Sequence, residues 1–239
     1  MNRAILFDMG GTLDGDGLHW LDRFGALYAE AGVKLPRETL RAAFDTAERL
    51  AATDETMASA RLDEMLDRHV AWQFGALGTG PYAALVNEPL RRRIVAEFAA
   101  IVRRAAAVNV QILAQLRARG FLLGVVSNGC GNVEVLCGDL GYAPFLSLVV
   151  DSRRVGLFKP DPAIYLHAVS RLALPPSSIL MVGDSFDRDV RPAKSIGMRT
   201  AWLRGPVAGP SPDGTSADFV LQALNELPAA LDARERTVA

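Results

Sequence analysis

Arg3-Ala-Ile-Leu-Phe-Asp8-Met-Gly10-Gly11-Thr12 is an apolar run that stops on a carboxylate and passes at once into paired glycines. Short runs of this kind, closed by a polar residue, read as buried strands followed by a loop. The pattern begins at residues 3–8 and returns at 121–127, 146–150, 179–183 and 199–203, with a short copy at 218–220 ahead of a last helix. Between these runs lie stretches of helical period. Residues 110–120 are amphipathic and end on Gly120, while 160–169 begin with prolines suited to a helix's first turn. Strands alternating with helices predict an α/β fold, a doubly wound parallel sheet with a Rossmann-like core.

From about Leu18 to Ala106 the texture changes to Ala, Leu, Glu and Arg, with almost no β-branched runs and with Pro36, Pro81 and Pro89 at helix-like intervals. Three to five helices are expected there, inserted after the first strand. The division predicted is 1–17 and 107–239 for the core and 18–106 for a helical cap, with 205–215 a turn-rich loop.

The chain has 239 residues, with 26 Lys and Arg against 27 Asp and Glu, a formal charge of −1. That balance argues against a basic nucleic-acid binder, and 50% hydrophobic residues against a disordered chain. No apolar run approaches the roughly 18 residues that span a bilayer. An acidic residue, Asp8, interrupts the amino terminus before a signal-peptide apolar region develops, so a cytoplasmic location is expected. If Cys130 and Cys137 share one helix, their Cα atoms stand about 10 Å apart, too far for a disulfide. Cys130 is expected to be a buried, inert thiol.

In doubly wound sheets ligands bind beyond the carboxyl ends of the strands, which directs attention to Asp8, Ser127, Asp184 and Lys159. Asp8 before Gly10-Gly11-Thr12 offers a nucleophile or cation ligand beside a backbone able to turn sharply. Ser127-Asn128-Gly129 adds a hydroxyl and amides at a second strand end, and Lys159 adds a cation. Gly183-Asp184-Ser185-Phe186-Asp187-Arg188-Asp189 crowds carboxylates that ask for a positive neighbour, and Mg²⁺ with its oxygen shell suits them. Each piece alone also fits a plain turn or a solvated charge.

Their order, Asp8 to Thr12, then Ser127-Asn128, Lys159-Pro160 and Gly183-Asp184-Ser185 to Asp189, resembles the four-motif signature of the haloacid dehalogenase-like hydrolase superfamily over Ala4 to about Leu203. The resemblance implies that Asp8 attacks the substrate and forms an aspartyl phosphate, with Mg²⁺ held by Asp8, Asp184 and the carbonyl of position 10. It further implies that Thr12, Ser127, Asn128 and Lys159 hold the phosphoryl group and that Asp189 supports the metal from behind. Asp187 either does likewise or is solvated.

One position departs from the pattern. Family phosphatases usually carry a second Asp two residues after the nucleophile as general acid and base, and here Gly10 stands there. Positioned proton transfer is worth about 10² to 10⁴ in rate. Three readings follow. The first is a phosphatase of small phosphorylated metabolites, either for good leaving groups or with Asp14, Asp16 or a cap residue moving the proton. The others are a phosphate- or partner-binding protein with little turnover, and a haloacid or phosphonate hydrolase. A monomer or homodimer without nucleic-acid or membrane partners is expected. His19-Trp20 suits a lid, although the plainer expectation is Trp20 buried in the cap and His19 at the surface. His69 and His167 are expected in polar helical surroundings, and Arg91-Arg92-Arg93 and Arg103-Arg104 on solvated faces.

Overall fold

The computed structural model describes residues 3–205 and 217–238. Strand β1 (Ala4–Phe7) is followed by a tight turn over Met9–Leu13 and then by helices α1 (Trp20–Glu30), α2 (Arg37–Thr53), α3 (Leu62–Leu77) and α4 (Glu88–Ala118). The chain continues through β2 (Leu122–Ser127), α5 (Val133–Asp139), β3 (Leu146–Asp151), α6 (Ser152–Val155) and α7 (Ala163–Leu172). It ends with β4 (Ile179–Gly183), α8 (Arg191–Ser195), β5 (Arg199–Leu203), β6 (Phe219–Leu221) and α9 (Leu227–Val238).

The strands form one sheet in the order β3-β2-β1-β4-β5-β6, and every pairing is parallel. Strand residues alternate between its faces, as the two-residue pleat requires. Ile5 and Phe7 join a core that runs on into the helical segment, whereas Ala4 and Leu6 pack toward Tyr165 and Ala168 of α7. The order reverses direction between β1 and β4, which opens a crevice at their carboxyl ends. Asp8 and Asp184 immediately follow those two strands.

Helices α1 to α4 pack around an aromatic cluster. The rings of Phe24 and Phe98 lie 4.5 Å apart, Trp20 and Phe98 4.8 Å, and Phe24 stacks on His69 at 5.3 Å. His69 is therefore buried against aromatic rings, with polar partners, Gln73 and Glu48, at its two ring nitrogens. Helix α4 is one uninterrupted helix of 31 residues. It absorbs the separate helix expected at 110–120 and runs through the expected boundary at 106/107, because after Pro89 no Gly or Pro breaks a stripe from Leu90, Ile94 and Phe98 to Leu113 and Leu116. Its Arg91, Arg92, Arg93 and Arg103 pair with carboxylates on the outer surface.

Two further expectations change. The helix expected from Pro160 begins at Ala163, since Lys159–Pro160 is a cis peptide in the preceding turn. Cys130 precedes α5 instead of sharing it with Cys137. Both thiols are free, and burial pushes each up to about 12. Residues 206–215 of the expected turn-rich loop lie outside the described residues. Among the described residues no helix is long and apolar enough to cross a membrane.

Candidate active site

The carboxyl edge of the sheet gathers the motif residues by backbone geometry. The Asp8 amide donates to Val182 O at 2.9 Å, tying the end of β1 to β4. Lys159, 5% exposed, places its Nζ 2.7 Å from Asp8 Oδ1 and 2.7 Å from Asp189 Oδ1. Asn128 sets that lysine: its amide donates to Lys159 O at 3.0 Å, and its Oδ1 accepts from Lys159 N at 2.8 Å. Ser127 lines the same cavity and its hydroxyl has no hydrogen-bond partner among the described residues.

Carboxylate oxygens of Asp8, Asp184 and Asp189 come within 4.8 Å of one another. Such crowding has electrostatic consequences. Burial, and then the charges of Asp8 and Asp189, push the Asp184 carboxyl well above its ordinary range. Burial also raises Asp189; Lys159 opposes that rise and Asp8 adds to it. Burial works against the Lys159 ammonium, yet Asp189 and Asp8 outweigh it and raise its pKa. One ammonium among three carboxylates leaves excess negative charge in a low-dielectric site. An all-oxygen donor set of this kind fits a hard divalent cation such as Mg²⁺.

Two glycines make the approach feasible. A Cβ on Gly11, whose φ is +88°, would stand 2.4 Å from Asp184 Oδ2, and one on Gly183 would stand 2.3 Å from the Asp189 carboxyl carbon. Asp189 is held on all sides, with Oδ1 accepting from Lys159 and Oδ2 from Ser185 N at 3.0 Å. Thr12 is buried and does not reach the cavity. Its hydroxyl accepts from Asp184 N at 3.1 Å and lies 3.5 Å from Asp184 Oδ1, so it meets Asp184 and not the expected phosphoryl position. Asp187 pairs with Arg191 at the surface, away from the cluster.

Gly10 lines the cavity beside Asp8. Its φ of −75° and ψ of 117° are ordinary for any L residue, and a Cβ there would meet only Trp20 Nε1 at 3.7 Å and Trp20 Cδ1 at 3.9 Å. Nearby Asp14 is 2% exposed, and its carboxylate only accepts: from Gly11 N at 2.6 Å, from Trp20 Nε1 at 2.6 Å and from the Arg23 guanidinium. Three donors thus occupy both oxygens, two on Oδ1 and one on Oδ2. Asp16 accepts from Leu224 N at 3.0 Å and does not line the cavity. Asp14 therefore shares the cavity lining with Asp8 and Gly10, its oxygens already accepting three hydrogen bonds, whereas Asp16 lies outside it.

Helices α1 to α4 close the cavity from the other side, mainly with apolar groups such as Phe44, Met57, Met65 and Val102. Both His19 and Trp20 line it, so His19 is not the surface residue expected. Its Nδ1 accepts from Leu21 N at 3.1 Å at the start of α1, and burial first, then Arg188, lower its pKa. Glu48, His69 and Arg188 also face the cavity and were missed in the sequence. A visible signal existed: Glu48 lies at i+4 from Phe44 on the apolar face of α2, and His69 and Gln73 stand at i and i+4 on that of α3.

A family model described as haloacid dehalogenase-like hydrolase matches residues 2–197. The chain is 30% identical to the N-acetylmuramic acid 6-phosphate phosphatase of Pseudomonas aeruginosa over 236 residues, 96% of this chain and 95% of that one. With the glyceraldehyde 3-phosphate phosphatase of Methanopyrus kandleri it shares 39% over 97 residues, 40% of this chain and 41% of the other. In matches of this second kind the chain spans about half or less of the curated relatives' length. A solved dehalogenase with an intermediate complex has a TM-score of 0.63 at 20% identity, covering 95% of each chain, which speaks for the fold.

Proposed function

The chain belongs to the haloacid dehalogenase-like hydrolases, and on that premise we propose that it is a Mg²⁺-dependent phosphatase of small phosphorylated metabolites. The observation that carries this reading is the Lys159 ammonium, 2.7 Å from Asp8 and 2.7 Å from Asp189, beside the carboxylate of Asp184. Lysine takes Asp8 Oδ1 and leaves Oδ2 free to attack phosphorus. The new Asp8–phosphorus bond forms as the bond to the leaving alcohol breaks, and water then hydrolyses the aspartyl phosphate to inorganic phosphate. Ser127 donates its unpartnered hydroxyl to the transferring group, and Lys159 offsets the charge on it. Asn128 acts by fixing Lys159, and Thr12 by fixing Asp184.

Bound through Asp8, Asp184 and the Gly10 carbonyl, Mg²⁺ would neutralise the crowded carboxylates and the phosphoryl oxygens. Asp189, with both oxygens taken by protein donors, orients the others. In this reading residues 1–17 and 107–239 are the hydrolase core and 18–106 the cap, with α4 shared between them. The proton for the leaving oxygen is the weak point. Gly10 has none, Asp16 lies outside the cavity, and Asp14 lines it with both oxygens already accepting, an observation that also favours the second reading, a phosphate-binding protein with little turnover.

A screen of phosphate esters, acyl phosphates and 2-haloacids with and without Mg²⁺ separates these readings. Wild type should hydrolyse p-nitrophenyl phosphate only with Mg²⁺, and Asp8→Asn should lower kcat by at least about 10⁴-fold. Asp184→Asn should remove the Mg²⁺-induced rise in Tm. Undiminished turnover by Asp8→Asn would end the proposal, and Mg²⁺ binding without turnover of any ester would favour the second reading.

A further inference from the structure

Within the helical wall of the cavity runs a chain of four polar side chains that the reaction at Asp8 does not use. Tyr28 on α1 donates its hydroxyl hydrogen to Gln73 Oε1 at 3.0 Å, and Gln73 Nε2 lies 2.9 Å from His69 Nδ1. His69 Nε2 in turn meets Glu48 Oε1 at 2.9 Å. The direction of the chain follows from donor arithmetic. An amide nitrogen offers hydrogens and no lone pair, so Nδ1 accepts and the imidazole carries its proton on Nε2, aimed at the carboxylate. The reverse assignment would set a bare nitrogen lone pair against Glu48. Gln73, His69 and Tyr28 are 0, 2 and 0% exposed. Buried polar groups are costly unless satisfied, and here each is.

The chain ends on a group that is not buried. The Glu48 side chain is 51% exposed, it lines the cavity, and its Oε2 has no partner among the described residues. Across the same cavity stands Arg188, a half-buried guanidinium with no described carboxylate within 4.0 Å. Three helices thus fix Glu48 through its Oε1 in the cavity wall and leave Oε2 to a ligand there. The whole cavity, from Asp8, Ser127 and Lys159 to Glu48, has a volume of about 130 Å³, which the phosphoryl group and the organic part must share. It compares with the roughly 150 Å³ apolar cavity that takes one benzene ring.

We propose that Glu48 reads the leaving alcohol, so that the preferred substrates are phosphate monoesters of about one ring's bulk or less whose organic part carries a hydroxyl or ammonium donor for Glu48 Oε2. The inference rests on the phosphatase reading for the phosphate end alone. Sites built to pair a polar group discriminate strongly against analogues that lack it, since the site's own group is then left unpaired. His69, Gln73 and Tyr28 are positioning residues that act through Glu48.

The test is calorimetric and needs no turnover. In the Asp8→Asn background with Mg²⁺, glycerol 3-phosphate supplies hydroxyls, phosphoethanolamine supplies an ammonium, and n-propyl phosphate supplies neither. At least one donor-bearing ester should bind about tenfold or more tighter than propyl phosphate, and which one does so identifies the donor. Adding Glu48→Gln should close that gap without moving Tm, because His69 keeps the amide oxygen and the amide NH₂ then faces the substrate's own donor. Glu48→Asp, which keeps the charge, should restore part of the gap. Equal binding of all three esters overturns the proposal, as does a Glu48→Gln variant that weakens all three alike. Failure of the wild type to hydrolyse any of them would instead defeat the phosphatase reading, with the binding comparison still deciding the role of Glu48.

Discussion

The two walls of the cavity are built on opposite plans. On the sheet side the carboxylates sit at strand ends or in the first turn beyond them, and main-chain groups and glycines set them: Asp8 by Val182 O, Asp189 by Ser185 N, Asp184 by the absent Cβ of Gly11. Lys159 arrives from the loop after α6 and is held by Asn128. On the helical side the wall is apolar, and one carboxylate is held by side chains alone. Main-chain geometry at strand ends fixes the chemistry, while side chains on helices, which can be exchanged without moving the backbone, shape the space for the rest of the ligand.

The joint between the walls is where this contrast breaks most readily. Asp14 and Arg23 form a pair whose side chains are 3 and 2% exposed, with Arg23 also donating to Asp14 O at 2.8 Å and Leu18 O at 3.0 Å. Asp14→Asn leaves a buried guanidinium without its counter-charge and should cost about 3–5 kcal/mol, measured by urea unfolding. Loss of activity should accompany it, since the single amide oxygen can accept from Gly11 N or from Trp20 Nε1 but not both, and the other donor then faces an NH₂ in the loop that carries Asp8.

Gly10→Asp sharpens the contrast by restoring a carboxylate to the sheet side. Backbone dihedrals and the open space beside Trp20 accept the Cβ, so the fold should survive. Turnover of an alkyl phosphate monoester should rise by about 10²-fold, while p-nitrophenyl phosphate, whose leaving group needs little protonation, should gain far less. The ratio of the two kcat/KM values is the measurement. A ratio unchanged by the substitution would mean that some other group already moves the proton.

A smaller effect, confined to the sheet side, is expected in the stability of the metal-free protein. Asp184 and Asp189 have carboxyls raised above 3.8 in the fold, so between that value and their raised ones the native state holds more protons than the unfolded chain. Stability then falls as pH rises through this window. Thermal melts without metal should show Tm dropping from about pH 4 upward, and Mg²⁺ should flatten the slope by occupying the deprotonated cluster.

Strand-end chemistry is legible in a sequence because a polar stop after an apolar run marks both a position in the fold and a position in the site. Asp8, Ser127 and Asp184 were readable on that ground, and Lys159 by its place in the motif order. The parallel sheet followed from the same runs. Glu48 was not readable that way, since its meaning depends on His69 and Gln73 from another helix, and helical period gives a face but not which faces meet. Thr12 illustrates the opposite difficulty: its nearness to Asp8 in sequence suggested the phosphoryl group, whereas the turn directs its hydroxyl at Asp184. Helix α4 looks like two helices in the sequence because the change of texture at Ala106 has no counterpart in the backbone, which no Gly or Pro interrupts between Leu90 and Ala118.

The position of β1 also sets an order of assembly. It lies inside the sheet, yet Ala4 pairs with Leu122 on one side and with Ile179 on the other, so both of its neighbours are made long after it. Contacts among α2, α3 and α4 join consecutive elements and close short loops, which favours their early formation over long-range strand pairing. Once these helices are packed, Asn109 and Tyr142 can seize the carbonyl of Leu13, at 2.8 and 2.7 Å, and draw the amino-terminal strand in beneath them. Pulse-labelled hydrogen exchange should record protection of α2 to α4 ahead of β1. Asp8, the proposed nucleophile, would be among the last residues to reach its place.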